Sequence, residues 1–191
     1  MNLRKLALST ALAMSVAGLA HAAEPLKLEF KNGDPFSAAF KALPEEASKP
    51  LLTVTGGKPA IADGALVLPG ARFTIGAVPG ADGKIPESTG SGRPAGVLDF
   101  SKPYKITVRI AEATTKTAGK DSFYIYVNNS TSRQADSPLG RGSQLVRVGV
   151  GELKAGDNVF TGSLGDATSF VQIRTESGAE VKIEAITIEQ E

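Results

Sequence analysis

Apolar residues recur at every second position along most of this chain. The run from 104 to 110 (YKITVRI) shows the pattern clearly, because its Ile and Val residues alternate with Lys, Thr and Arg. Successive side chains of a β-strand point to opposite faces, whereas a helix repeats its apolar positions every three or four residues. The same alternation returns in the later runs 122–128, 144–150, 169–175 and 180–189. The chain is therefore restricted to folds built from strands with one buried face.

The phase of the alternation assigns each side chain to a face. In the second run (SFYIYVN), Phe123, Ile125 and Val127 are expected to point into a core. The two later runs 144–150 and 169–175 are expected to add to that core Val146, Val148, Val150, Val171 and Ile173. The outward aromatic residues are Tyr124, Tyr126 and Phe170.

The last run breaks this alternation once. Val181 and Ile183 share one phase, and Ile186 and Ile188 share the opposite one. One extra residue in a strand shifts the phase by one step, as a β-bulge does. We expect a bulge near Glu184-Ala185.

Shorter runs and turn signals complete the predicted fold. Gly-, Asn- and Asp-rich turns such as Ala62-Asp63-Gly64 separate the runs. Only Phe36 to Leu43, opened by Asp34-Pro35, has helical spacing. The sequence predicts an all-β fold, an antiparallel β-sandwich of jelly-roll type with one short helix near the mature N-terminus. The further predicted strands are Leu26–Phe30, Leu51–Thr55, Ala65–Leu68, Arg72–Ile75 and Gly96–Phe100.

The first 22 residues have the composition of a secretory signal. A basic start (Arg4, Lys5) precedes an apolar run from Leu6 to Leu19 and the small-residue ending Ala20-His21-Ala22. The apolar run is too short to span a bilayer. We expect residues 1–22 to be a cleaved signal peptide, the protein to be secreted or periplasmic, and no membrane association after cleavage.

Residues 23–191 are expected to form a single β-sandwich domain, since the segment has ordinary domain length and no fixed-period repeat. Within it, the Gly-, Pro- and Ser-rich stretch 79–94 has too few apolar residues to order itself. We expect a flexible surface loop there. The alternative is a loop at the rim of a binding groove that contributes Lys84, Glu87 and Arg93.

The mature segment contains no His and no Cys, because His21 lies in the leader and the chain has no Cys. A Ser-His-Asp or Cys-His nucleophile, a His/Cys zinc site and a dithiol centre are therefore excluded. The remaining functional groups suit binding better than catalysis. Removing Arg4 and Lys5 from 21 basic residues leaves 19 against 20 acidic ones, and this balance argues against nucleic acid as a partner.

The outward positions of three predicted strands carry the densest functional chemistry. Aromatic rings offer flat apolar faces to a sugar, and Arg binds carboxylates in a bidentate manner. If the strands pair side by side, these residues predict a ligand site for an acidic polysaccharide. The alternative is a solvated sheet face held by cross-strand pairs among the same side chains. The predicted ligand-binding residues are Tyr124, Tyr126, Asn128, Arg147, Gln172 and Arg174.

The acidic residues stand singly beside turns rather than as the pair that glycoside hydrolysis needs. No catalytic residue and no cofactor are predicted. Calcium bound through Asp63, Asp82, Asp157 or Asp166 stays an open alternative, because these positions lack the ligand spacing of an EF-hand.

Several segments taken together resemble a known family. LDFSKPYKITVRI (98–110), FYIYVNNSTS (123–132), GSQLVRVGV (142–150) and SFVQIRT (169–175) are similar to the β-sandwich ancillary domain of secreted bacterial pectate lyases and related polysaccharide-degrading enzymes. The resemblance implies association with carbohydrate and not lyase activity. In that family an Asp commonly stands where Asn128 is here, so the resemblance does not extend to a charged or metal-binding role at this position.

These observations predict a secreted, non-catalytic protein whose partner is an acidic, uronic-acid-rich polysaccharide of the pectin type. A structural or protein-interaction β-sandwich of the periplasm or extracellular matrix is the second interpretation. A small polysaccharide lyase with Arg or Lys as base and Tyr as acid is the third, because uronate elimination can run without His. The sequence does not specify the glycan or the oligomeric state.

Overall fold

A computed structural model describes residues 25–31, 52–77, 96, 98–129, 143–163 and 166–190. Within these residues, extended runs with alternating burial form strands, and one turn of 3-10 helix covers Val150–Glu152. The strands are β1 (Leu26–Glu29), β2 (Leu52–Gly56), β3 (Ala60–Ala62), β4 (Ala65–Pro69), β5 (Arg72–Ile75), β6 (Leu98–Phe100), β7 (Tyr104–Thr115), β8 (Ser122–Asn129), β9 (Ser143–Gly149), β10 (Gly156–Gly162), β11 (Asp166–Thr175) and β12 (Ala179–Gln190).

The strands form two antiparallel sheets. The first sheet has the order β10-β7-β12-β4-β3, and β1 pairs with β12 beyond the end of β4. The second sheet has the order β2-β5-β11-β8-β9, and β6 pairs with β11 beyond the end of β5. The prediction of an all-β antiparallel sandwich of jelly-roll type is confirmed by this architecture.

The core lies between the inner faces of the two sheets. The second sheet contributes Phe123, Ile125 and Val127 from β8, each no more than 2% exposed, and these pack with the inward residues of β7 and β12. Alternation thus placed the inner face of β8 correctly. Val171 and Ile173 are buried in the same cluster, while Val146 and Val148 pack against its edge.

The last strand contains the expected bulge. In the pairing of β12 with β7, Ile183 faces Ile110 and Ala185 faces Arg109, so Glu184 has no partner on β7. The extra residue lets Val181, Ile183, Ile186 and Ile188 all remain buried on one side. The backbone carbonyl of Glu184 accepts a hydrogen bond from the N–H of Phe30 (3.0 Å), which connects the bulge to the end of β1.

Other predictions have mixed outcomes. The Ala62-Asp63-Gly64 turn joins β3 to β4, with positive φ at Asp63 (52°) and Gly64 (76°) as a tight hairpin requires. The strands β3 and β10 were not predicted. The predicted helix Phe36 to Leu43, the signal peptide and the loop 79–94 lie outside the described residues. Across the described ranges, no helix is both long and apolar enough to cross a membrane.

Candidate functional site

A row of cationic and aromatic side chains crosses the outer face of the second sheet. Arg147 on β9 lies opposite Tyr124 on β8, and Tyr124 lies opposite Arg174 on β11. Arg174 in turn lies opposite Arg72 on β5, and Arg72 lies opposite Gly56 on β2. We call Arg147, Tyr124, Arg174 and Arg72 the arginine row. The row forms because the alternation of these strands is in phase, so all its members leave the sheet on the same side.

The Tyr124 ring lies between two guanidinium groups. The central carbon of the Arg147 guanidinium is 5.6 Å from the ring centroid, and that of Arg174 is 5.4 Å away. Both distances fall within the range of cation–π attraction. The residue is only 8% exposed although it lies on the outer face. Tyr124 stays a predicted ligand-binding residue, and its ring makes the cross-strand pairs with Arg147 and Arg174 that the alternative interpretation of this face expects.

Tyr126 is the aromatic residue of this face that remains partly open. Its ring stacks on Tyr124 with centroids 5.7 Å apart and planes inclined by 21°. Tyr126 is half-buried and pairs across the sheet with Gln172, which is also half-buried. A flat apolar ring beside an amide and two guanidinium groups can contact both the apolar and the polar parts of a sugar.

Glu176, just beyond β11, anchors the phenol of Tyr124. The Tyr124 hydroxyl donates to Glu176 Oε1 (2.7 Å), and the backbone N–H of Ser122 donates to Oε2 (3.1 Å). The Tyr124 hydrogen bond, opposed by partial desolvation and helped by Ser122 and the nearby Arg147, lowers the pKa of the Glu176 carboxyl. Burial, followed by the bond to Glu176, raises the pKa of the Tyr124 phenol. The carboxylate therefore stays ionised and the phenol neutral near pH 7.

Ser122 also holds Arg147. Its hydroxyl Oγ accepts a hydrogen bond from Arg147 Nε (3.1 Å), and the residue is 7% exposed. The bond uses one guanidinium donor of the exposed Arg147 side chain. Ser122 and Glu176 thus fix Arg147 and Tyr124, and the Tyr124 ring contacts Arg174 in turn.

A pocket of about 560 Å³ opens beside the Arg72 and Arg174 end of the row. We call it the end pocket. Its charged lining consists of Arg72, Arg174, Lys120 and Glu176, and Gly56, Gly57 and Gly70 contribute backbone to its wall. Its volume is within the roughly 300–1,000 Å³ of small-molecule sites. The end pocket thus presents three cationic groups and one carboxylate to solvent.

Buried contacts fix the turn that carries Glu176. The Thr175 hydroxyl donates to the Leu68 carbonyl (2.9 Å) and accepts from the Ala71 N–H (3.1 Å). On the other side, the Gly178 N–H donates to the Lys120 carbonyl (2.8 Å). A Cβ at Gly178 would lie 2.6 Å from that carbonyl oxygen, so only glycine permits this approach. The turn after β11 and the loop before β8 are thereby locked together, with Glu176 and Lys120 at the same pocket.

Arg72 and Arg174 are like charges placed directly opposite each other on neighbouring strands. Such pairs destabilise a sheet unless a counter-charge lies close by. Within the part of the chain that the structure describes, no carboxylate forms an ion pair with Arg174 or Lys120. A carboxylate bound in the end pocket would supply a counter-charge to Arg174 and Lys120.

The structure brings together five of the six predicted ligand-binding residues. Tyr124, Tyr126, Arg147, Gln172 and Arg174 share the outer face of the second sheet. Asn128 pairs in register with Phe170 and Ser143 further along the strands, and its side chain is not among those described. Phe170, also expected outward, is on this face but only 1% exposed.

Arg72, Lys120 and Glu176 were not predicted. The strand alternation around Phe73 could have placed Arg72 on the outer face, since Arg72 precedes an inward Phe. Lys120 and Glu176 come from turns, where no periodicity indicates direction. Their meeting depends on the pairing of β8 with β11, which sequence spacing does not reveal.

No group of three or more acidic or other metal-ligating side chains comes together among the described residues. Of the aspartates considered for calcium, Asp157 accepts hydrogen bonds from Arg109 Nε (2.8 Å) and Nη2 (3.2 Å) on the outer face of the first sheet. Asp82 lies outside the described residues.

No protein-family model matches this sequence, and no curated protein matches it. Solved structures similar to this chain include BiXyn10A CBM1 in its apo form, with 8% identity and a TM-score of 0.41 over 87% of this chain and 97% of that one. The C-terminal CBM6 of LamC, a marine laminarinase from Zobellia galactanivorans, has 9% identity and a TM-score of 0.36 over 87% and 100%. The K1 cleaved adhesin domain of Lys-gingipain from Porphyromonas gingivalis has 13% identity and a TM-score of 0.36 over 88% and 99%. The first two of these proteins are carbohydrate-binding modules, and the third is an adhesin domain.

Proposed function

We propose that this protein is a secreted, non-catalytic β-sandwich that binds acidic polysaccharide rich in uronic acid, of the pectin type. The observation that carries the proposal is the arginine row, in which Arg147 and Arg174 flank Tyr124 and Arg72 lies beyond Arg174 on the same sheet face. The first sheet offers a contrast, because Arg109 on its outer face is engaged by Asp157.

The chemistry of the row suits carboxylates spaced along a chain. Guanidinium groups bind carboxylates through paired, parallel hydrogen bonds, which point charges such as ammonium groups cannot do. Neighbouring strands lie about 4.8 Å apart. Arg147 and Arg174 are therefore two strands apart on the sheet, and Arg174 and Arg72 are one strand apart. Tyr126, beside the row, supplies a ring on which the apolar face of a sugar can stack.

We assign no catalytic step to the outer face of the second sheet. Glu176 is the one carboxylate among the described residues of the end pocket, and both its oxygens already accept hydrogen bonds from Tyr124 and Ser122. We propose an ancillary role beside polysaccharide-degrading enzymes, in keeping with the resemblance to pectate-lyase ancillary domains.

Binding to polygalacturonate by the variants Tyr126→Ala and Arg174→Ala tests the proposal. Tyr126→Ala should weaken binding at every salt concentration, because stacking on a ring involves little charge. Arg174→Ala should weaken binding most at low salt and flatten its salt dependence, because ions screen the lost interaction. Arg109→Ala, on the outer face of the first sheet, is the matched control and should bind like the parent protein.

Two results would overturn the proposal. If the parent protein is not retarded in a polygalacturonate affinity gel, the structural or protein-interaction alternative takes its place. If unsaturated uronide absorbance appears during incubation with polygalacturonate, the protein is a lyase and the non-catalytic assignment is wrong.

A further inference from the structure

We infer that the end pocket is a subsite at one end of the arginine row that holds one sugar acid, with its carboxylate toward Arg72, Arg174 and Lys120 and its hydroxyls toward Glu176. This inference rests on the proposed function and specifies the ligand group that the pocket takes. The end pocket would hold a single uronate residue in an open recess, whereas a polysaccharide chain would lie along the arginine row.

The three cations reach the pocket from different elements. Arg72 belongs to β5, Arg174 belongs to β11, and Lys120 belongs to the loop between β7 and β8. A carboxylate in the pocket would supply a counter-charge to Arg174 and Lys120, which form no ion pair among the described residues. Both arginines are half-buried, so their charges are less screened than those of a fully exposed side chain.

Glycines shape the wall of the pocket around Arg72. A Cβ built on Gly56 would lie 2.6 Å from Arg72 Nε and 3.0 Å from its Cγ. The guanidinium can occupy its place only because position 56 has no side chain. Gly57 and Gly70 have φ values of +72° and +58°, and a Cβ at either would collide with the neighbouring backbone. The local glycine content therefore keeps open the volume that Arg72 and Arg174 line.

Glu176 makes the pocket selective among anions. Its ionised carboxylate repels other anions, and the repulsion is stronger for a doubly charged ion such as the phosphate dianion than for a singly charged sugar acid. It accepts hydrogen bonds from hydroxyl groups, since each carboxylate oxygen has lone pairs beyond the one used by Tyr124 or Ser122. A molecule that carries a carboxylate at one end and hydroxyls at the other satisfies both halves of the lining.

The first experiment titrates the full chain with sodium galacturonate, galactose and sodium phosphate, followed by NMR chemical shifts. Galacturonate should bind with saturable shifts at residues of the end pocket, whereas galactose and phosphate should not saturate. Lys120→Ala should weaken galacturonate binding by about tenfold or more, which is the range for loss of a charged hydrogen bond. Lys27→Ala, which removes an exposed lysine from β1 of the first sheet, is the matched control and should have no effect.

Gly56→Ala provides a second test that removes no charge. Position 56 does not have a positive φ, so alanine fits the backbone and displaces only the Arg72 side chain. Galacturonate binding should fall by about tenfold, as for Lys120→Ala. Gly151→Ala is its control, because a Cβ at Gly151 meets nothing within 4 Å. Glu176→Gln removes the negative charge that repels phosphate. The ratio of galacturonate affinity to phosphate affinity should therefore fall.

The outcomes separate this inference from the proposed function. If polygalacturonate binds but galacturonate does not, and Lys120→Ala leaves polymer affinity unchanged, the subsite is refuted while the proposed function stands, because Lys120 is not part of the arginine row. If galacturonate binds in the pocket and polygalacturonate does not bind, the subsite stands and the polysaccharide role fails. Equal saturable binding of phosphate and galacturonate would show a general anion pocket and would overturn the assignment to sugar acids.

Discussion

Each of the three tyrosines has its own environment, which sets what its phenol can do. Tyr104 is 4% exposed and packs its ring against Phe100, with centroids 4.7 Å apart. Tyr124 is enclosed by two guanidinium groups and bonded to Glu176. Tyr126, half-buried on the outer face, is the one whose ring a ligand can reach. Tyrosine thus occurs here in the core, between two guanidinium groups, and half-buried on the outer face.

The burial of Tyr104 predicts a loss of stability in alkali. Burial raises the pKa of its phenol from 10.0 to about 12. Between these two values the unfolded chain loses the proton while the folded protein keeps it, so each step upward in pH favours unfolding. The part of the unfolding free energy that depends on Tyr104 is fully present below pH 10. It is lost as the pH rises toward 12, by about 3 kcal/mol in total.

Urea unfolding at several pH values, followed by circular dichroism, measures this effect. The variant Tyr104→Phe retains the ring and has no phenol to ionise, so its unfolding free energy should lack this part of the decline. Identical slopes for the parent and Tyr104→Phe between pH 10 and 12 would show that Tyr104 ionises as freely in the folded protein as in the unfolded chain.

At the residue scale, alternation identified most of the outer-face site but not its anchor. Tyr126, Arg147 and Arg174 followed from strand phase alone, because a strand fixes the direction of each side chain. Glu176 could not be predicted, since its contact with Tyr124 joins residues 52 positions apart through a turn. The sequence also could not show that Tyr124 is covered, because its burial comes from side chains on two other strands.

At the element scale, the strands with a strong apolar face were predicted within a few residues. β8 extends one residue beyond the expected bounds at its end, and β12 extends one residue beyond them at each end. β10 was missed because one of its two faces lies open at the sheet edge, where Val159 is 55% exposed. β3 has only three residues, too few for a period to be recognised. The alternation of apolar and polar residues thus identifies strands that bury one face. The same alternation is weaker in edge strands.

The bulge in β12 predicts which deletions the strand tolerates. Deleting Glu184 removes the unpaired residue and leaves Val181, Ile183, Ile186 and Ile188 in one continuous alternation, all on the inner face. The cost should be small, chiefly the loss of the hydrogen bond from the Phe30 N–H to the Glu184 carbonyl. The deletion variant should therefore still unfold cooperatively in urea.

Deleting Lys182 is the matched comparison. Lys182 is paired in register, so its loss shifts Val181, which is fully buried, to the outer face. Exposing a valine of this kind costs about 1.5–3 kcal/mol. The loss of the exposed ion pair between Lys182 and Glu112 adds little. If the Glu184 deletion is the more destabilising of the two, the extra residue is essential to the sheet rather than absorbed by it.

At the scale of the whole molecule, the two outer faces differ in how their cations are neutralised. The first sheet pairs them with carboxylates, as in Lys105 with Glu189 (2.6 Å) and Arg109 with Asp157 (2.8 Å). On the second sheet, Arg147 and Arg174 contact a tyrosine ring instead. The chain has 21 basic and 20 acidic residues, so composition alone conceals this asymmetry. Only the distribution of strands between the sheets reveals it.

This asymmetry predicts selectivity among polyanions. Sequence-independent binding to duplex DNA depends on a broad positive field, and a net charge of +1 with acidic groups across the first sheet does not supply one. Polygalacturonate instead offers planar carboxylates and hydroxyls, which match guanidinium groups, the Tyr126 ring and Glu176. In affinity electrophoresis at about 0.1 M salt, where the Debye length is about 10 Å, polygalacturonate should retard the protein and duplex DNA should not. The double variant Arg147→Ala/Arg174→Ala should migrate alike in both gels. Equal retardation of the parent protein by DNA and polygalacturonate would mean that the arginine row attracts any polyanion, and a recognition of uronate would then have to be abandoned.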